Sequence, residues 1–184
     1  MIRRLRTVRT RIHYWLRSDQ YTSLLEKNLE DLRGSNSEAT LKAADFLMAV
    51  LPPLQRSSPF KAFYTEIVLT ANAQLLNADK TVRFKMADLL ELMVYVDMRP
   101  TTELLLLLAD EAPTKQCSGI LTVLCKVLGK DACLKEFPSR RVLSLFEKYV
   151  DSNDDIIRGK ALAGAQLMDY YFKASLVDVH KSAC

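Results

Sequence analysis

The chain has 184 residues, 49% of them apolar, with only 5 Gly and 6 Pro, enough for one continuous core and too little Gly and Pro for long structureless stretches. Its formal net charge of +4 is unevenly placed: Arg3, Arg4, Arg6, Arg9, Arg11 and Arg17 all fall within positions 1–17, a stretch that holds no acid, so the remainder is near neutral and slightly acidic. A body-wide basic face for nucleic acid is therefore not expected, nor is an integral membrane helix, because the longest apolar run, Leu104 to Ala109, is six residues where a span needs about 20.

Residues 1–20 form a basic amphipathic N-terminal segment. Ile2, Leu5, Val8, Ile12, Trp15 and Leu16 recur at helical spacing with arginines over the rest, and Thr7, Thr10 and Ser18 add hydroxyls. No continuous apolar stretch of a secretory signal is present. Arg-rich, hydroxylated and free of acid before Asp19, the segment has the composition of a mitochondrial transit peptide. Three other readings stand beside it: an RNA-contacting arm, an interfacial membrane helix with Trp15 at headgroup level, and the first helix of the fold.

From residue 21 to 184 the apolar residues keep a period of 3.6, and sustained alternation is absent, which predicts one all-α domain. A helix over about 22–32 stops at Gly34. The next, about 37–51, starts at Ser37 with Glu38 in its first turn and ends before Pro52-Pro53. Ser58-Pro59 opens about 59–76, and Asp79 caps about 80–96. Pro100-Thr101 starts 101–111, which Pro113 ends; about 115–128 stops at Gly129. After a short turn around 131–136, Pro138-Ser139 begins 140–150, and Asn153-Asp154-Asp155 opens a last helix to about 173. Short connections make neighbours in sequence neighbours in space, giving four antiparallel pairs: 22–51, 59–96, 101–128 and 139–173.

The pairs resemble one another. Asp79-Lys80-Thr81-Val82-Arg83 and Asp154-Asp155-Ile156-Ile157-Arg158 share Asp, two residues, a β-branched residue and Arg at an offset of 75, and Ala44-Asp45-Phe46-Leu47 parallels Ala87-Asp88-Leu89-Leu90 at an offset of 43. Half of 75 lies near the repeat length of HEAT and armadillo arrays. The Asp-x-x-Val-Arg run resembles the second helix of a HEAT repeat. Arg83 and Arg158 match the arginine of that family, and Asp79 and Asp154 an acid of its inter-helix turn. Its preferred turn Asp is replaced by Asn77 and Ser152, Ala161 matches its small position where Met86 does not, and the third pair lacks the arginine. The resemblance implies a short HEAT-like α-solenoid in which Asp79, Arg83, Asp154 and Arg158 are structural, part of a ladder between successive repeats.

A catalytic constellation is hard to assemble. The only histidines are His13 and His180, little material for a His-based triad. Asp154-Asp155 sits where acids favour a helix dipole, and Gly159-Lys160 lacks the first glycine of a phosphate loop. Cys117, Cys125, Cys133 and Cys184 include no CxxC pair, so a zinc site is not expected and small buried residues are. Ala161, Ala163, Gly164 and Ala165 form a small-residue patch suited to close helix approach. Leu104–Leu108 are apolar all round a helix, which predicts burial on more than one side.

No enzyme activity and no cofactor are expected. The resemblance to a helical-repeat stack, with its concave surface, and the lack of acidic or basic tracts in the body point instead to a scaffold subunit that holds protein partners in a larger, mitochondrial assembly. The rival is an RNA-binding or ribosome-associated protein using the arginine arm with Lys80, Arg83, Lys85 and Arg140-Arg141. The transit reading places the body in the mitochondrial matrix; the alternative address is cytoplasmic. Fused to a fluorescent reporter, residues 1–20 are expected to carry it into mitochondria, and a diffuse cytosolic signal would contradict the targeting reading.

Overall fold

A computed structural model of the chain describes residues 19–54, 61–130 and 137–181. The six N-terminal arginines, His13, the Ser58-Pro59 start, the turn around 131–136 with Cys133, and Cys184 lie outside these residues. The described part is all-helical, with no strand: α1 (Asp19–Arg33), α2 (Ser37–Leu54), α3 (Lys61–Ala73) with a 3-10 turn (Gln74–Leu76), α4 (Lys80–Val96), α5 (Met98–Glu111), α6 (Thr114–Gly129), α7 (Ser139–Tyr149) and α8 (Asp155–Lys181). Among the described residues no helix is long and apolar enough to cross a membrane.

Boundaries depart from the sequence reading where local chemistry is more permissive than punctuation. α2 runs through Pro52 and Pro53 to Leu54. Proline has a helical φ, and at the end of α2 its missing N–H and its clash one turn back disturb only the final turn. Pro100 stands inside the first turn of α5, which starts at Met98 and not at 101; no intrahelical donor is needed there. Asn36 caps α2, its Oδ1 accepting from the amides of Glu38 and Ala39 at 3.0 and 3.2 Å. α8 continues to Lys181, beyond the expected 173.

Contacts group the chain into two compact units, Met1–Val96 and Asp97–Cys184. In the first, α1 packs on α2 and α3 on α4, while α1 also meets α3 and α2 meets α4. Leu25, Leu29 and Leu32 of α1, Ala43, Ala44, Leu47 and Leu51 of α2, and Ile67, Val68 and Ala71 of α3 are buried at helical spacing. α4 is buried over a wide arc, from Val82 and Met86 to Met93 and Val94. In the second unit α5 packs on α6 and α7 on α8, while α5 also meets α7 and α6 meets α8. Each unit therefore stacks first helix on first helix and second on second.

The leucine run of α5 is sided. Leu105 and Leu106 are buried, Leu104 and Leu108 half-buried, and Leu107 is 57% exposed. The expectation of burial on more than one side holds for its neighbours and fails at Leu107.

α7 and α8 approach closely at Gly164. A Cβ there would overlap Cε1 and Cζ of Phe146, a ring with 0% exposure. At the offset of 75, the matching positions in the first unit hold Ala71 and Leu89, both fully buried, so the bulk sits on the first helix in one unit and on the second in the other. Gly164→Ala is expected to lower stability by about 1–2 kcal/mol, because overpacking costs roughly 1–3 kcal/mol and the better helix propensity of alanine returns up to about 1 kcal/mol. Equilibrium denaturation checks this, and an unchanged or raised midpoint would contradict it.

Candidate interaction surfaces

The Asp and Arg residues singled out by the offset of 75 occupy matching places. Arg83 donates through Nη1 to the carbonyls of Asn77 at 2.6 Å and Ala78 at 2.8 Å; Arg158 donates to the carbonyl of Ser152, also six positions back, at 2.7 Å, and pairs with Asp155. Asp79 Oδ1 accepts from the Thr81 amide at 2.8 Å, which holds its carboxyl below the usual range. Asp154 Oδ1 accepts from the amides of Ile156 and Ile157 at 2.9 and 3.0 Å. Earlier in each turn, Asn77 Oδ1 and Ser152 Oγ each accept from the amide two positions on. These bonds satisfy helix-start donors and close each turn upon itself.

The same offset maps the ties between stacked helices. Gln74 donates to the carbonyls of Leu32 at 2.8 Å and Gly34 at 3.1 Å; its counterpart Tyr149 donates to the carbonyl of Ala109 at 3.3 Å. Glu66 pairs with Arg33; its counterpart Arg141 pairs with Glu103, with the charges exchanged. Lys85 pairs with Asp45; its counterpart Lys160 donates to the Ser118 hydroxyl at 2.7 Å and carbonyl at 3.0 Å. Sequence reading missed these ties, because only the Lys85 and Lys160 positions keep their residue type.

That correspondence decides how the Ser118–Lys160 contact reads. A serine hydroxyl beside a lysine whose pKa is pushed down by burial has the ingredients of a nucleophile and base. Yet Lys160 stands where Lys85 makes an ion pair, and it also grips a backbone carbonyl already bonded by Thr122 at 2.8 Å. The contact ties α6 to α8. Cys125, at 3.5 Å from the Lys160 carbonyl, is pushed up to about 11 by burial, against the attraction of Lys160. Burial also raises Cys117, against a hydrogen bond with Tyr149. Among the described residues no group of His, Cys, Asp or Glu is placed to hold a metal ion.

Two outer faces of the second unit differ in character. On α7 the exposed residues are Arg140, Arg141, Ser144, Glu147 and Lys148. On α8 the exposed residues between positions 155 and 170 are Asp155, Ile156, Gly159, Leu162, Ala163, Gln166, Asp169 and Tyr170. Ile156 is 65%, Leu162 46% and Tyr170 67% exposed, and the Tyr170 ring meets Tyr171 edge-on at 5.6 Å. They share a side about 21 Å long, at about 1.5 Å rise per residue. Single exposed apolar residues are ordinary; here three stand on one side of a helix, between Asp155 and Tyr170, with no exposed cation among them. Ala163 and Ala165 of the small-residue patch face outward or half outward, while Ala161 and Gly164 are buried.

Of the body's basic residues named for an RNA contact, most are committed. Lys80 lies over the Phe84 ring at 5.4 Å, Arg83 closes its turn, and Lys85 and Arg141 are ion-paired. Arg140 is exposed and pairs with none of the described acids.

No family model, curated protein or solved structure matches the chain.

The thiols provide a test of the chemistry. In a chain carrying Cys133→Ser and Cys184→Ser, iodoacetamide at neutral pH is expected to alkylate Cys117 and Cys125 at least about tenfold more slowly when folded than in denaturant, because burial withholds the thiolate. Fast labelling of the folded chain would contradict it.

Proposed function

We propose that the chain is a non-catalytic interaction subunit that holds protein partners in a larger assembly, its helix pairs continuing as a HEAT-like solenoid. The observation that carries this reading is the side of α8 that exposes Ile156, Leu162 and Tyr170 and shows no exposed cation between positions 155 and 170. Support for the repeat comes from the offset of 75, which relates the turn and tie residues of two pairs. In a helical array the second helices line one surface, and such surfaces bind other macromolecules. An interface centred on apolar residues is only weakly sensitive to salt, whereas RNA contacts through about six phosphates lose roughly a thousandfold in affinity between about 50 and 200 mM salt. Commitment of Arg83, Lys85 and Arg141 to internal bonds weighs against RNA, leaving the arginine arm as its main support. A place in the mitochondrial matrix belongs to the same proposal and rests on the composition of residues 1–17.

Affinity purification of the tagged full chain, with and without RNase, tests the reading. Protein partners are expected to survive RNase and high salt, and to be lost with the double substitution Ile156→Lys and Tyr170→Lys while the helical content is kept. Loss of every partner on RNase treatment would favour the RNA-binding alternative.

A further inference from the structure

α5 and α7 enclose a groove of about 320 Å³ lined by Leu106, Asp110, Arg140, Arg141, Ser144, Leu145 and Lys148. Positions 140, 141, 144, 145 and 148 share one side of α7, as 106 and 110 do on α5. Two ion pairs cross between these helices, Arg141 to Glu103 and Lys148 to Asp110, the second at 2.9 Å. They lie two helical turns from each other, with Leu106, Ser144 and Leu145 between them. Leu106 and Leu145 are 4% and 5% exposed and give the groove an apolar floor.

The cations of this groove are not equivalent. Arg141 and Lys148 are neutralised by neighbouring carboxylates. Arg140 is exposed and forms no ion pair with a described acid. It stands in the first turn of α7, which contains no acid, after Pro138, which makes no side-chain cap, so the positive helix end reinforces the guanidinium.

We propose that this groove docks a short acidic and apolar peptide segment of a partner protein, one carboxylate on Arg140 and one apolar side chain on Leu106 and Leu145. The proposal deepens the interaction reading above and rests on it. Charge complementarity selects the occupant. A carboxylate matches the guanidinium fork, while Ser144 offers a neighbouring hydroxyl. The volume is at the lower end of the roughly 300–1,000 Å³ of ligand sites, sized for a few side chains. A nucleic-acid backbone fits poorly, because it needs several free cations along its track. Among the described residues this groove holds one such cation, and the Asp110 carboxylate in its lining is paired with Lys148.

The test uses the full chain. A phage-displayed random heptapeptide library is selected on it, and the recovered peptides are synthesised with a fluorophore for anisotropy. Recovered peptides are expected to pair Asp or Glu with Leu, Ile or Phe. Arg140→Glu is expected to weaken their binding at least about tenfold, and Arg140→Lys less, since it keeps the charge and loses the fork. Peptides without acids, no enrichment, unchanged binding to Arg140→Glu, or displacement of the peptide by a short oligouridylate would each overturn the proposal. The α8 double substitution separates the two readings: it is expected to leave peptide binding intact. Loss of natural partners in that variant concerns α8 alone, and loss of the peptide in Arg140→Glu concerns the groove alone.

Discussion

Side-chain bonds at the inter-helix turn and one turn into the second helix tie the later hairpin of each unit, α3–α4 and α7–α8, to the earlier one. A helix begins with unsatisfied amides and ends with unsatisfied carbonyls, and stacked pairs bring one such end beside another. In both units the position nine before the turn arginine spends its side chain on the carbonyl end of the previous first helix, Gln74 on Leu32 and Gly34, Tyr149 on Ala109. A lysine two after the arginine reaches the previous second helix, Lys85 to Asp45 and Lys160 to Ser118. The arginine itself closes the turn between them. Orientation and register of a second helix are thereby set at its first two turns, and the apolar stripe below follows.

The outer side of α8 is a consequence. Ile157, Ala161, Gly164 and Met168 are buried, and the helix packs on both α6 and α7. Its two cations between positions 155 and 171 are both engaged, Arg158 on the turn and Lys160 on Ser118. What remains facing outward is uncharged between Asp155 and Asp169. α7 has the opposite division: a strongly amphipathic helix that buries Val142, Leu145 and Phe146 and displays its charges. One hairpin thus carries a side with three exposed apolar residues and a charged side with a narrow groove.

Much of this is legible in the chain. Period 3.6 locates every described helix, and the expected 80–96 coincides with the observed bounds of α4. Gly34, Asp79 and Asn153-Asp154 carry information because turn chemistry is local. Pro52 and Pro100 mislead by a few positions, since proline tolerates a helix end or a first turn. Arg83 and Arg158 are visible because an arginine is long enough to span from its own position to a carbonyl six back. The ties are not visible: glutamine and tyrosine donate to equivalent carbonyls, glutamate and arginine pair with opposite partners, and Phe146 with Gly164 stands where Ala71 and Leu89 stand. Such positions are constrained by bond and volume, and residue identity is free to change. The α8 surface is equally hidden, because Ile156 and Ile157 are alike in sequence, yet one is 65% and the other 3% exposed.

One device, built twice, ties α4 and α8. Hydrogen-exchange mass spectrometry on Arg83→Gln and Arg158→Gln tests this most directly, read over peptides spanning the first turns of α4 and α8. Glutamine is too short to reach the carbonyl six positions back. Each substitution is therefore predicted to speed exchange in its own first turn, severalfold and by similar factors, with the middle of each helix protected as before. Faster exchange in only one of the two, or in neither, would contradict it.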